Sequence, residues 1–233
     1  MIVLIITAVR VKSMDSHRIS GRILAENIAG PGMLRLVEQS MQARARKTSV
    51  TEIAVKERKH PQAALTFDDG PDIRYTPLLL DGLKERNVRV SFFLLGEKVE
   101  QYPELVERMQ KEGHLVGNHT YHHVQLNKLN ETKAREEILK TNNLIYETTG
   151  VYPLYLRPPF GAWKKNLELC VEMLPVFWTI DTLDWKVQNT EKIVRTVQEQ
   201  IEDGAIILMH DEYDTSVEAA LQVVDELKNQ GYE

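Results

Sequence analysis

From His60-Pro61 onward the chain alternates short apolar runs with longer amphipathic stretches, and most of the runs stop abruptly at ionisable, Gly or Pro residues. The runs are Ala63–Phe67, Val88–Leu95, His114–Gly117, Leu154–Leu156, Leu174–Ile180 and Ala205–Met209. Helical patterns fill the intervals at Tyr102–Glu112, Glu131–Thr148, Thr190–Ile201 and Thr215–Gln230, with a further helix expected within Asp72–Arg86. Such alternation predicts βα units around a parallel sheet. Asp68-Asp69-Gly70-Pro71 follows the first run, and His119-Thr120-Tyr121-His122-His123 follows the third after Asn118. Arg157-Pro158-Pro159-Phe160-Gly161 follows the fourth, Asp181-Thr182-Leu183-Asp184-Trp185 the fifth and His210-Asp211 the last. A parallel barrel gathers its carboxyl strand ends on one face, where sites are assembled from several strands. Five reactive ends therefore predict one shared site.

The rest of the sequence sets bounds. Of 233 residues 42% are hydrophobic and 27% charged, with mean hydropathy −0.33, a composition that argues against disorder and against a polytopic membrane protein. A net charge of −5 and a pI near 5.9 argue against nucleic acid as the main partner. Residues 1–60 carry 11 Lys/Arg against 5 Asp/Glu, so the acidic balance belongs to residues 61–233. The division expected is an amino-terminal segment, 1–60, and a domain, 61–233. The apolar run Met1–Val9 is shorter than the roughly 20 residues of a spanning helix. It also lacks the preceding basic segment and following cleavage site of a secretory signal, so a buried strand or a cut-down anchor is expected. Residues 16–60 read as one or two helices broken at Gly30-Pro31-Gly32, with a solvated basic face at Arg44–Lys47. Cys170, the single cysteine, excludes an internal disulfide framework and a Cys-rich metal site.

Each reactive end has two readings. Adjacent Asp68 and Asp69 repel, and a cation on one would leave the other free as a base; Asp-Asp-Gly-Pro is equally good turn chemistry. His119 and His123, four apart, suit two metal ligands on one face of a helical turn, or are ordinary surface histidines. His122 points elsewhere by that geometry. Arg157 could grip a carboxylate in bidentate fashion or stand exposed on a stiff loop. An aspartate of the 181–184 turn could orient an imidazole, with Trp185 walling a pocket, or cap a helix beside a core Trp. His210 alone reads more often as structural than as catalytic. Glu97, Tyr121, Tyr213 and Cys170 show no partner pattern and read as structural or surface residues.

Taken in order, Thr66-Phe67-Asp68-Asp69-Gly70-Pro71, His119-Thr120-x-x-His123, Arg157-Pro158-Pro159-Phe160-Gly161, Asp181-x-x-Asp184-Trp185 and Ile207-Leu208-x-His210 resemble the five motifs of the polysaccharide deacetylase family. This is the NodB-like group, carbohydrate esterase family 4, and the resemblance covers residues 61–233. It implies a distorted, incomplete (β/α) barrel that removes acetyl groups from N-acetylated sugars of a polymer with a divalent metal, usually Zn²⁺ and in some members Co²⁺. It further implies that Asp69, His119 and His123 bind the metal, Asp68 is the general base held by Arg157, and His210 is the general acid tuned by Asp184. Trp185 and Leu208 would line the acetyl pocket, and the Phe160 backbone N–H would help hold the oxyanion.

Two departures stand out: Ser91-Phe92-Phe93 replaces the usual Thr-Phe-Phe, and Gly231-Tyr232-Glu233 comes where the family continues into a last strand. The domain is therefore expected to lack that strand unless Ile2–Ile6 substitutes for it. The expected substrate is peptidoglycan or a chitin-like polymer, with acetylxylan O-deacetylation and non-catalytic glycan binding as alternatives. An envelope or extracellular location, a monomer and no obligatory protein partner are expected with it.

Overall fold

Seven strands, all paired in parallel, form one sheet in the order β5-β4-β3-β2-β1-β7-β6. The computed structural model describes residues 60–163 and 173–233. The expectations for the amino-terminal segment, including Ile2–Ile6 and Arg44–Lys47, and for Cys170 lie outside the described residues. The strands are β1 (Ala63–Asp68), β2 (Ser91–Leu94), β3 (Leu115–Asn118), β4 (Tyr155–Leu156), β5 (Leu174–Pro175), β6 (Ile180–Asp181) and β7 (Ala205–His210). Among the described residues the α-helices are α1 (Tyr75–Glu85), α2 (Gly96–Gln101), α3 (Pro103–Lys111), α4 (Glu131–Thr149), α5 (Asp184–Val187), α6 (Thr190–Gln200) and α7 (Asp214–Asn229).

Local chemistry explains the boundaries. Asn130 and Asn189 cap α4 and α6 by accepting from the N–H groups of Lys133 and Lys192, at 2.9 and 3.0 Å. Gly150 ends α4 at φ 72°, a left-handed cap that costs glycine little. Leu79, Leu80 and Leu83 of α1, Leu105, Val106 and Met109 of α3, and Val217, Ala220, Val223 and Val224 of α7 recur at helical spacing and are buried. Most of them pack with Phe67, Phe92, Ile207 and Met209 of the central strands in one core. Each large apolar side chain so buried contributes about 1.5–3 kcal/mol.

The apolar run Leu174–Ile180, read as one strand, is two. Leu174 and Val176 donate to Leu154 and Leu156 beside β4, whereas Thr179 donates to Ile206 beside β7. The chain thus crosses from one sheet edge to the other between Pro175 and Ile180, five residues that span at most about 18 Å. Only a curled sheet brings its edges that close, so the distorted, incomplete (β/α) barrel is confirmed. An apolar run cannot disclose this, because both edges and the crossing between them offer apolar surroundings. The short helix α2 was not anticipated, and Val88–Leu95 narrows to Ser91–Leu94. Glu233 pairs with the start of β1, donating to the Pro61 carbonyl at 2.9 Å and accepting from Ala63 N–H at 3.2 Å.

Candidate metal centre and active site

Strand register delivers the reactive residues to one face. Asp68 pairs with His210 across β1 and β7, and Asn118 pairs with Leu156 across β3 and β4, so His119 and Arg157 leave their strands side by side. Seven described non-glycine residues have positive φ, and five lie in these strand-end loops: Asp69 (69°), Thr120 (67°), His123 (55°), Phe160 (59°) and Leu183 (51°). Backbone held in that sparsely populated region concentrates where a site must be pre-shaped.

At Asp69 the turn separates the two adjacent carboxylates. Oδ1 of Asp69 lies 3.3 Å from Nε2 of His119 and 3.4 Å from Nε2 of His123, and it is buried with no hydrogen-bond partner. Those separations exceed good charge-assisted hydrogen bonds, which run about 2.7–2.9 Å. Donor atoms about 2.0–2.2 Å from a tetrahedral ion lie about 3.4 Å apart, so the three residues fit a shared cation. Nδ1 of His119 donates to the Arg157 carbonyl at 2.6 Å, which turns Nε2 toward Asp69. Burial opposes the charge on Asp69, yet attraction to His119, His123 and His210 holds it well below the usual carboxylate range. Burial works against the charged form of His119, but Asp68 and Asp69 raise it; at His123 burial prevails and lowers it.

The two histidines do not sit on a helical turn, as their spacing suggested. Residues 119–123 form an irregular loop with left-handed residues at Thr120 and His123, and it is this loop that aims both rings at Asp69. A four-residue interval is one turn of a helix, but nothing in it requires one. His122 turns away to Glu137, as expected.

Asp68 is held from the far side. Arg157, fully buried, donates through Nη1 to Asp68 Oδ1 at 2.8 Å and to Thr66 Oγ1 at 2.7 Å. One nitrogen makes both bonds, so the grip is not the bidentate one considered from sequence, and neither is Arg157 exposed. Its guanidinium lies 4.2 Å from the Phe93 ring centroid and 5.8 Å from that of Trp178, faces that accept a cation with little water present. Oδ2 of Asp68 is left 3.7 Å from His119 Nε2.

His210 is gripped twice by the buried Asp184, its backbone N–H donating to Oδ2 at 2.8 Å and its Nδ1 to Oδ1 at 2.7 Å. Burial alone would strip its proton; the bond to Asp184 and the charges of Asp184, Asp69 and Asp68 outweigh it and raise the pKa to about 9. Nε2 is thereby aimed inward, 3.8 Å from Asp69 Oδ2. Asp181 instead accepts from Leu183 N–H and shapes the turn. Leu208, two residues before His210 on β7, shares its face of the sheet and is buried. Phe160 is 62% exposed with its ring against that of His123, at 4.5 Å between centroids, and Trp185 is 48% exposed, which excludes a core Trp.

Sequence reasoning missed several supporting groups. Thr66 and Asn118 sit inside strands and carried no spacing signal, although Asn118 Oδ1 accepts from Thr120 N–H at 2.7 Å and its amide donates to Ile138 and Asn142. Glu137 lies in mid-helix, where an acidic residue is ordinary. Asp211, fully buried, bonds to Thr76 beneath the Asp69-Gly70 turn; burial raises its pKa to about 7 against the pull of Thr76 and Lys98. A side chain at Gly70 would collide with that carboxyl group.

A family model described as polysaccharide deacetylase matches residues 55–178, more than half of the chain. The chain is 41% identical over 178 residues to the peptidoglycan-N-acetylglucosamine deacetylase PgdA of Listeria monocytogenes, covering 76% of this chain and 38% of that one. It is also 41% identical to the peptidoglycan-N-acetylmuramic acid deacetylase PdaC of Bacillus subtilis, covering 73% and 36%. The chain thus spans little more than a third of those two relatives. The solved structure of PdaC aligns with TM-score 0.73 at 40% identity, covering 75% of this chain and 87% of that one. A pseudoenzyme of carbohydrate esterase family 4 from Bacillus anthracis aligns with TM-score 0.70 at 29% identity, covering 75% and 63%.

Proposed function

This chain belongs to the polysaccharide deacetylase family, and on that premise we propose that it hydrolyses the acetamido group of N-acetylated sugars in peptidoglycan, releasing acetate and a free amine. One observation carries the reading: a ligand set of Asp69, His119 and His123 lies beside a carboxylate gripped by Arg157 and an imidazole gripped by Asp184. The pseudoenzyme shares the fold, so the fold alone does not carry it; the complete set of reactive side chains does.

Asp69, His119 and His123 would hold a divalent ion, with Zn²⁺ favoured by the nitrogen-rich donor set. When bound there, such an ion would supply Lewis acidity toward the amide carbonyl and a lowered pKa for water. Asp68 takes the proton from the attacking water, its free Oδ2 facing the cluster while Arg157, itself bonded to Thr66, fixes the other oxygen. The backbone N–H of Phe160 helps stabilise the tetrahedral oxyanion. A sugar amine leaves only when protonated, and His210, kept charged by Asp184, donates that proton from Nε2. Leu208 and Trp185 enclose the acetyl methyl.

The relatives act on N-acetylglucosamine or N-acetylmuramic acid of peptidoglycan by name, which favours the amide over an acetylxylan ester and supports a role at the cell envelope. No described helix is long and apolar enough to cross a membrane. Acetate release from peptidoglycan, N-acetylglucosamine oligomers and acetylxylan, with chelator and after metal return, tests the reading. Release from the first two that stops on chelation and returns with Zn²⁺ is expected. Zinc bound without any acetate released would instead mark a glycan-binding pseudoenzyme.

A further inference from the structure

The loop that aims the two histidines has its own retaining group. We propose that Glu137, on α4, is the positioning residue that holds residues 119–123 in their metal-gripping shape. The inference rests on the reading of Asp69, His119 and His123 as ligands. Oε2 of Glu137 accepts from the successive backbone N–H groups of Tyr121 and His122, at 3.0 and 2.9 Å, and Oε1 accepts from Nδ1 of His122 at 2.7 Å. Two neighbouring amides turned to one side form a concavity that binds an anion, and here a side chain of the protein fills it.

The opposite side of the same loop is also anchored. The carbonyls of Thr120 and Tyr121 accept from Gly96 and Glu97 at the start of α2, at 2.9 and 3.3 Å. That approach needs glycine at 96, where a Cβ would collide with Tyr121 and Thr141. The loop is therefore pinned through its C=O groups by α2 and through its N–H groups by Glu137. Left-handed backbone is unfavourable for a β-branched residue such as Thr120, so it persists only where surrounding bonds over-determine it. Remove the carboxylate and two amides lose their acceptor, and the loop is free to relax and carry His123 away from Asp69. Glu137 touches neither ligand ring and acts only through the backbone between them.

The test measures Zn²⁺ affinity of the metal-stripped full chain by competition with a chromogenic chelator, well below the unfolding temperature of each variant. Glu137→Ala is expected to weaken binding roughly 10–100-fold, the usual cost of losing a group that orients metal ligands. Glu137→Gln keeps an oxygen for both amides and is expected to restore most of the affinity. His122→Ala removes only the third contact and should stay within about threefold of the parent. Glu137→Asp, one methylene too short to reach both amides, should weaken binding at least about fivefold and serves where the alanine variant does not fold. A purely structural role would lower unfolding temperature and leave the affinity of the folded protein unchanged; that result, with either Ala or Asp, overturns the inference. A parent chain that binds no Zn²⁺ overturns the metal reading itself, a different outcome.

Discussion

Asp68 and His210 face each other as register partners of β1 and β7, and each is fixed from behind by a buried residue of opposite chemistry, Arg157 and Asp184. In the proposed hydrolysis adjacent strands would thus supply the base and the acid, with Asp69 3.8 Å from His210.

Asp68→Asn keeps the shape of the side chain and removes the proton acceptor. Turnover on an N-acetylglucosamine oligomer should fall by roughly two or more orders of magnitude while Zn²⁺ content stays at the parent level. His119→Ala should lose metal as well. Parallel acetate-release and metal-content measurements distinguish the two, and an Asp68→Asn enzyme with most of its turnover would remove Asp68 from its role.

As the proposed general acid His210 must carry a proton, and its pKa is raised to about 9 because the bond to Asp184 prevails over burial. Activity should therefore decline on the alkaline side as His210 loses its proton, and Asp184→Asn should move that decline toward lower pH. The pH profile of kcat/KM reads both. The same shift carries a stability term of definite sign. A histidine raised from 6.5 to about 9 contributes stability that is full below pH 6.5 and lost as pH rises through 9.

Arg157→Met leaves a similar stem but strands Asp68 and Thr66 without their donor. Removing one partner of a buried pair costs about 3–5 kcal/mol, which chemical denaturation should report. Arg157→Lys should recover only part of this, because an ammonium cannot lie flat against Phe93.

Asp211 makes the fold pH-sensitive in the opposite direction from a paired carboxylate. Burial raises its pKa from 3.8 to about 7, so the stabilisation is complete below pH 3.8 and lost as pH rises to 7. Asp211→Asn, which carries no charge, should gain on the parent across that window by on the order of 3–4 kcal/mol. Unfolding free energies of the two proteins at pH 4 and pH 7.5 provide the comparison; a constant difference would show that folding leaves the pKa of Asp211 where it stands in the unfolded chain.

Reading strands from apolar runs succeeded where a strand lies in the middle of the sheet, as β1 and β7 do, because burial on both faces forces an uninterrupted apolar segment. It failed at the edges, where β5 and β6 share one run. Of the site, the residues legible beforehand are those whose chemistry is unusual at a strand end: Asp68, Asp69, His119, His123, Arg157, Asp184 and His210. The supporting roles of Glu137, Asn118, Thr66 and Asp211 were illegible, since each acts only through partners that the fold brings to it.

The alternation of the central strands with the longer helices and the kinds of reactive group at each strand end follow from the amino-acid sequence itself, because periodicity and side-chain chemistry are local properties. What the tertiary structure alone decided is direction. Left-handed backbone at Asp69, Thr120 and His123, the single-nitrogen grip of Arg157 on Asp68 and the hold of Glu137 on two amides all depend on partners remote in the chain. A ligand set is defined by distances of a few ångströms between such groups, and distances across a sheet are set by register and curl, which no local pattern encodes.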